Sequence, residues 1–266
     1  MPPLAQSTVR RAQCVPRPIS TPLFLINLDA ASERRQHMRG QLSAQGLSAH
    51  RIGIDCRAMT RQQTVLCATR RFPDVAFAFD LLSGAEIGCW MSHLSAWAIF
   101  LSSGSGSACA VIEDDVILET GFGPTIDAIA AQRAYDVIYL GTSSRNVSAR
   151  RRASIDGVAL HEPTGSVYNT WGYVIRREYL ERLFAVRPLR LASPIDHVLG
   201  GRSAAMKPRT AVVQPMVVRE EPGLGRKSQI EPYTWRIDRW RLVERSRRAF
   251  LESRLSHWYY ALVNER

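Results

Sequence analysis

Apolar positions along the chain fall into short continuous runs of aliphatic and β-branched residues, separated by longer stretches with helical spacing. That alternation predicts an α/β domain with buried strands. Pro22-Leu23-Phe24-Leu25-Ile26-Asn27-Leu28 reads as a strand apolar on both faces. Ser32 then offers an N-cap, Glu33 to about Gln45 has helical character, and Gly46 stops it. Arg51-Ile52-Gly53-Ile54 is a second short strand, whereas Cys56 to Phe79 shows no period that assigns it. Ser83 with Glu86 three positions on has capping-box spacing, so a helix is expected from about Gly84 to Leu101, ended by the Gly/Ser-rich stretch 102–107. The run Ala110 to Leu118 follows as a strand. Tyr135–Leu140, Trp171–Ile175 and Ala211–Val213 are further strands, with a helix over Arg177–Ala185. No internal repeat is visible.

These elements divide the chain into three parts. Residues 1–21, rich in Pro, Ser and Arg, read as a flexible leader, and 22–230 as one domain long enough to bury a core. Residues 231–266 read as a basic amphipathic C-terminal helix carrying Trp235, Trp240, Phe250, Leu251, Trp258 and Tyr259 among arginines. Such a helix either lies on an anionic membrane or packs on the domain with its arginines solvated. The interspersed Asp238, Glu244 and Glu252 favour packing.

Charge is the compositional outlier: 35 Lys and Arg against 24 Asp and Glu give +11 over 266 residues. A positive surface attracts phosphorylated ligands, anionic membranes or nucleic acid. No zinc finger or RNA-binding aromatic motif accompanies it, so nucleic acid is not the expected partner. The five cysteines are scattered without a CxxC pair and imply reduced, mostly buried thiols. No run approaches the roughly 20 apolar residues of a membrane span, and the first apolar run is not a signal sequence. The expected compartment is therefore the cytosol, with peripheral contact at the inner face of the cytoplasmic membrane as the alternative should the C-terminal helix lie on a membrane.

The most unusual chemistry is Glu113-Asp114-Asp115, three adjacent carboxylates inside the apolar run Ala110–Leu118. Buried carboxylates repel one another unless a positive charge pairs with them. If the strand continues through them, alternation points Glu113 and Asp115 the same way, roughly 7 Å apart, with Asp114 opposite. Two such oxygens suit a hard divalent cation, Mg²⁺ or Mn²⁺; the plain alternative is a solvated acidic turn. Ligands of open α/β sheets bind beyond the carboxyl ends of strands, where Asn27 and Asp29 also lie, and that favours the ligand-site reading.

Several blocks in order carry a resemblance. They are Phe24-Leu25-Ile26-Asn27-Leu28-Asp29 with Arg34-Arg35, Gly84-Ala85-Glu86-Ile87-Gly88-Cys89-Trp90-Met91-Ser92-His93-Leu94, and Glu113-Asp114-Asp115. Gly172-Tyr173-Val174-Ile175, Pro194-Ile195-Asp196 and Ser228-Gln229-Ile230 follow. Together they resemble glycosyltransferase family 25, the lipooligosaccharide and lipopolysaccharide galactosyltransferases and their collagen-galactosyltransferase relatives. The resemblance implies a GT-A-like nucleotide-diphospho-sugar transferase fold with a central mixed sheet flanked by helices. It also implies a divalent cation on the diphosphate of a UDP-sugar, and inverting transfer of galactose to a saccharide acceptor.

Under that resemblance Asp115 and Glu113 are the expected metal ligands, His197 a third, and Asp114 orients its neighbours or meets the nucleotide. Asp196 is the expected base, with an N-terminal helix cap as its alternative. Glu86 and His93, seven residues apart on one helical face, either line the donor sugar or serve as a cap and a core histidine. Asn27, Asp29, Arg34, Arg35 and Ser228 are expected around the nucleotide, with turn, helix-face and loop roles as alternatives. The implied function is a metal-dependent inverting glycosyltransferase acting on a lipopolysaccharide-type or lipid-linked saccharide. A degenerate nucleotide-sugar or glycan-binding module and a glycoside hydrolase are the competing readings.

Overall fold

A computed structural model describes residues 19–143, 147–155, 157–165, 167–199 and 207–225. Leader residues 1–18, Ser228 and the helix expected over 231–266 lie outside the described residues. The element order is β1 (Leu23–Ile26), α1 (Ser32–Ala44), β2 (His50–Ile52), α2 (Arg61–Arg71), β3 (Val75–Phe77), α3 (Gly84–Ser102), β4 (Ala108–Glu113) and β5 (Val116–Leu118). Then come α4 (Phe122–Ala130), β6 (Val137–Tyr139), β7 (Val147–Ile155), β8 (Val158–Pro163), β9 (Gly172–Arg176) and α5 (Arg177–Ala185). β10 (Leu189–Leu191), α6 (Ile195–Leu199), β11 (Thr210–Gln214), β12 (Val218–Glu220) and α7 (Pro222–Gly225) complete it.

Among the described residues, eight strands form one mixed sheet in the order β2-β1-β4-β9-β6-β11-β8-β7. β1 runs parallel to β2 and β4, and β9 is antiparallel to both β4 and β6. Side chains alternate between two cores. Phe24, Cys109, Val111, Tyr173 and Ile175 pack on the face covered by α3, α5 and α6. Leu23, Leu25, Ala110, Ile112 and Val174 pack on the face covered by α1 and α4. Burial on both faces explains why these strands read as continuous apolar runs.

The register places the site. Ile26 pairs with Glu113 and Ile112 with Gly172, so the ends of β1 and β4 and the start of β9 meet at one edge. Gly53, just past β2, lets the chain pass close to the exit of β1: a Cβ there would lie 2.2 Å from the Asn27 carbonyl oxygen.

Three expectations need correction. Ala110–Leu118 is not one strand: β4 ends at Glu113, Asp114 and Asp115 form a bend, and β5 pairs with β12 in a separate two-stranded sheet. Ser32 begins α1, and its N-cap is Ala31, which makes no side-chain cap bond. The unassigned stretch 56–79 contains α2, started by a Thr60/Gln63 capping box, and β3. Ser20 and Thr21, at the end of the expected leader, donate backbone N–H bonds to the Asp127 carboxylate. Among the described residues no helix is long and apolar enough to cross a membrane, and Cys56, Cys67, Cys89 and Cys109 are free thiols.

Candidate functional site

The carboxylate triplet turns the corner where β4 ends, and the bend abolishes strand alternation. Asp114 and Asp115 converge on one nitrogen: Arg34 Nη1, from α1, donates to Asp114 Oδ1 at 3.0 Å and to Asp115 Oδ2 at 3.1 Å. Asp114 also accepts Asn27 Nδ2 at 2.7 Å, and the same amide donates to the Ala31 carbonyl at 3.1 Å. Asn27 is buried at the end of β1, so it ties that strand's exit to the acidic bend. Asp114, which strand alternation would have turned away from its neighbours, is thus the most firmly held member.

The three acids differ electrostatically. Burial raises Asp115, the charges of Glu113 and Asp114 raise it further, and Arg34 pulls back, leaving it at about 7. Its Oδ1 is buried with no hydrogen-bond partner. Burial also raises Asp114, against the hydrogen bonds from Asn27 and Arg34. Burial opposes ionisation of Glu113 too, but His93, Thr170 and Arg34 together hold it below the usual carboxylate range.

Glu113 faces α3. Thr170 Oγ1 donates to its Oε1, and His93 Nε2 lies 3.6 Å from the same oxygen. His93 is fully buried, with Nδ1 2.7 Å from the Tyr173 hydroxyl, which also accepts Trp97 Nε1–H at 3.0 Å. Cys89, one turn earlier on α3, brings its sulfur within 4.8 Å of both His93 and Glu113 ligand atoms. Burial and the charges of Glu113, Asp196 and Glu86 push its thiol pKa well up.

Asp196 enters from the first turn of α6. It accepts the backbone N–H of His197 at 2.9 Å and that of Asn169. Burial raises its pKa, and Glu113 adds to the rise against the His197 charge and these two bonds. Asn169 holds φ at 69°, a left-handed conformation uncommon outside glycine. Ser143 Oγ donates to its side-chain oxygen. The segment 169–170 thus reaches Asp196 with one residue and Glu113 with the next.

The remaining expected residues sit differently. Glu86 closes the capping box of α3: its Oε2 accepts Ser83 N–H at 2.7 Å, and Glu86 N–H donates to Ser83 Oγ at 3.2 Å. Asp29 is exposed and pairs with Arg51 at 2.6 Å, with Arg35 at 4.0 Å. The His197 ring stands edge-on to Tyr168 at 5.8 Å. Ser228 is outside the described residues. Thr170, Asn169, Tyr173 and Cys89 were not expected as site residues. Tyr173 and Cys89 stand inside the motif blocks, a signal that could have found them; Asn169 and Thr170 carry none.

Among known proteins, the chain is 28% identical over 187 residues to procollagen galactosyltransferase 1 of Danio rerio, covering 66% of this chain and 30% of that protein. It is 29% identical over 185 residues to procollagen galactosyltransferase 2 of Mus musculus, 66% of this chain and 29% of that one. It is also 26% identical over 185 residues to a probable inactive glycosyltransferase 25 family member 3 of Bos taurus, 66% and 31% respectively. The matched segments thus span less than a third of these relatives' own length. The sequence model of glycosyltransferase family 25 (LPS biosynthesis protein) matches residues 20–199, which hold β1 through α6 and every described residue of the acidic cluster. With its helix-flanked mixed sheet in a GT-A-like arrangement, the chain belongs to glycosyltransferase family 25.

Proposed function

We propose that the protein is a nucleotide-sugar-dependent galactosyltransferase, moving galactose from UDP-galactose to a saccharide acceptor with inversion at the anomeric carbon. The observation that carries this reading is the gathering of Glu113, Asp114, Asp115 and Asp196 at the sheet edge where β1 and β4 end. Galactosyltransferases among the relatives support the donor. The family description supports a lipopolysaccharide-type or related glycan acceptor. A lipid-linked acceptor would set the reaction at the cytoplasmic face of a membrane.

The implied divalent cation fits the cluster on two counts. Asp115 Oδ1 is buried without a partner, and Asp114 and Asp115 share one guanidinium nitrogen, Arg34 Nη1, between their two charges. Asp115 and Glu113 would hold Mn²⁺ or Mg²⁺, with His197 as the further expected donor. When bound, such a cation neutralises charge on the leaving diphosphate.

The chain's own residues supply the rest. Asp196, raised by burial and kept in place by two backbone N–H bonds, accepts the proton of the acceptor hydroxyl. Asn27 and Arg34 keep the acidic bend in one conformation before substrate arrives, which lowers the reorganisation cost of binding. Arg35, Arg51 and Asp29 form an exposed rim beside it for the nucleotide. Glu86 supports the site through the start of α3.

A second reading, a nucleotide-sugar binder without transfer, is favoured by Arg34, whose nitrogen already occupies an oxygen of both aspartates. Relatives described as inactive agree with it. UDP release from a panel of nucleotide sugars with Mn²⁺ separates the two. Release with UDP-galactose, abolished by a chelator and by Asp115→Asn, is the expected result. Sugar-nucleotide binding without release would establish the second reading, and turnover surviving full chelation would overturn the cation role.

A further inference from the structure

We propose that Cys89, His93 and Glu113 form a site for a divalent metal ion of the zinc type, which shares Glu113 with the hard-cation position at Asp115. Cys89 and His93 lie four residues apart on the same face of α3, and Glu113 meets them from the end of β4. One ligand atom from each lies within 4.8 Å of the other two. His93 Nε2 and Glu113 Oε1 are 3.6 Å apart, near the roughly 3.4 Å edge of a tetrahedron with zinc bonds of about 2.0–2.1 Å.

The second observation is independent of that spacing. His93 is fully buried, yet its Nε2 makes no hydrogen bond, Glu113 Oε1 at 3.6 Å lying beyond hydrogen-bond distance, so the nitrogen carries an uncompensated desolvation cost unless something satisfies it. The ring is held for that purpose. Its Nδ1 is fixed at 2.7 Å by the Tyr173 hydroxyl, and the ring lies against Tyr173 and edge-on to Trp97. Metal-bound imidazoles typically have such an outer partner on the second nitrogen.

Thiolate, imidazole and carboxylate together select zinc over magnesium, which takes oxygen. Glu113 is partly exposed, with 24% of its side chain reaching solvent, and leaves a way in and a fourth position. Binding releases the Cys89 thiol proton, so affinity rises with pH. Occupancy also commits Glu113 to α3 and withdraws it from Asp115.

Cobalt(II) titrated into the reduced, chelator-treated full chain reports on the site without any nucleotide sugar, so its outcome is separate from that of galactosyl transfer. Expected are a thiolate-to-cobalt charge-transfer band and tetrahedral visible bands, both removed by added zinc. Cys89→Ala should lose the charge-transfer band and Cys67→Ala should keep it. A band that survives Cys89→Ala overturns the site. So does its absence from the parent protein, which would leave a buried relay from Trp97 through Tyr173 and His93 to Glu113. As a measurement free of variants, zinc should slow alkylation of Cys89 at least tenfold in peptide mass analysis; equal labelling with and without zinc also overturns it.

Discussion

Replacing Asp115 by Asn should stabilise the protein while abolishing transfer, and the stabilisation should grow with pH. Asp115 is raised from 3.8 to about 7, first by burial and then by Glu113 and Asp114. A carboxylate so displaced costs the folded state roughly 4 kcal/mol once fully ionised. Its side chain keeps 19% exposure, so water screens part of this and about 2–4 kcal/mol is the working range. The sign follows from the direction of the shift. The folded-state value lies above the unfolded one, so stability is intact below about pH 4, falls as the pH rises toward about 7, and levels off above it. Asn carries no charge and escapes this loss. Urea unfolding of both proteins in chelator at several values between pH 5 and 8 measures the difference. The variant's advantage should rise by about 1–2.5 kcal/mol across that interval, the rest of the loss falling below pH 5. Added Mn²⁺ should then restore the parent protein at pH 8 and leave the variant unchanged. An advantage that stays flat with pH, or a variant less stable at pH 8, would refute the electrostatic account.

Three further outcomes are expected. Asp136, buried, accepts Arg182 at 3.0 Å, Arg209 Nη2 at 3.1 Å and Arg209 N–H at 2.8 Å, and these bonds hold its carboxyl low against burial. Asp136→Asn should therefore lose about 1.5–3 kcal/mol in neutral thermal melts, and the gap should close as the pH falls through the depressed folded value; equal melts at pH 7 would refute it. Tyr173→Phe strips the acceptor from Trp97 Nε1–H and the partner from His93 Nδ1, and should cost about 1–3 kcal/mol per orphaned group in urea unfolding. Gly53→Ala drives a Cβ to 2.2 Å from the Asn27 carbonyl, so calorimetry should show weaker nucleotide-sugar binding along with a lower melting temperature. Unchanged affinity would separate Asn27 from the donor site.

The sheet was legible because both faces are buried: β1, β4, β6, β9 and β11 all coincide with continuous apolar runs. The α3 start was legible for another local reason, its capping box; the same signal at Thr60/Gln63 starts α2 but went unread in a stretch that shows no period. The break between β4 and β5 was not legible. Val116-Ile117-Leu118 is as strand-like as what precedes Glu113, and only its pairing with β12, about a hundred residues on, takes it out of the main sheet. β7, the edge strand, carries a polar, arginine-rich pattern that resembles loop, and β8 beside it is a short alternating segment.

By itself the sequence determined the α/β class, the buried strands, the α3 cap and the presence of an unusual acidic triplet among family 25 motifs. Each of these depends on residues near one another in the chain. Tertiary structure decided how the triplet is divided. Arg34 and Asn27 take Asp114, Arg34 shares Asp115, and α3 with the loop before β9 takes Glu113. The cause is the bend at Asp114–Asp115, together with partners 20 to 87 positions away, at separations where spacing along the chain carries no information about contact.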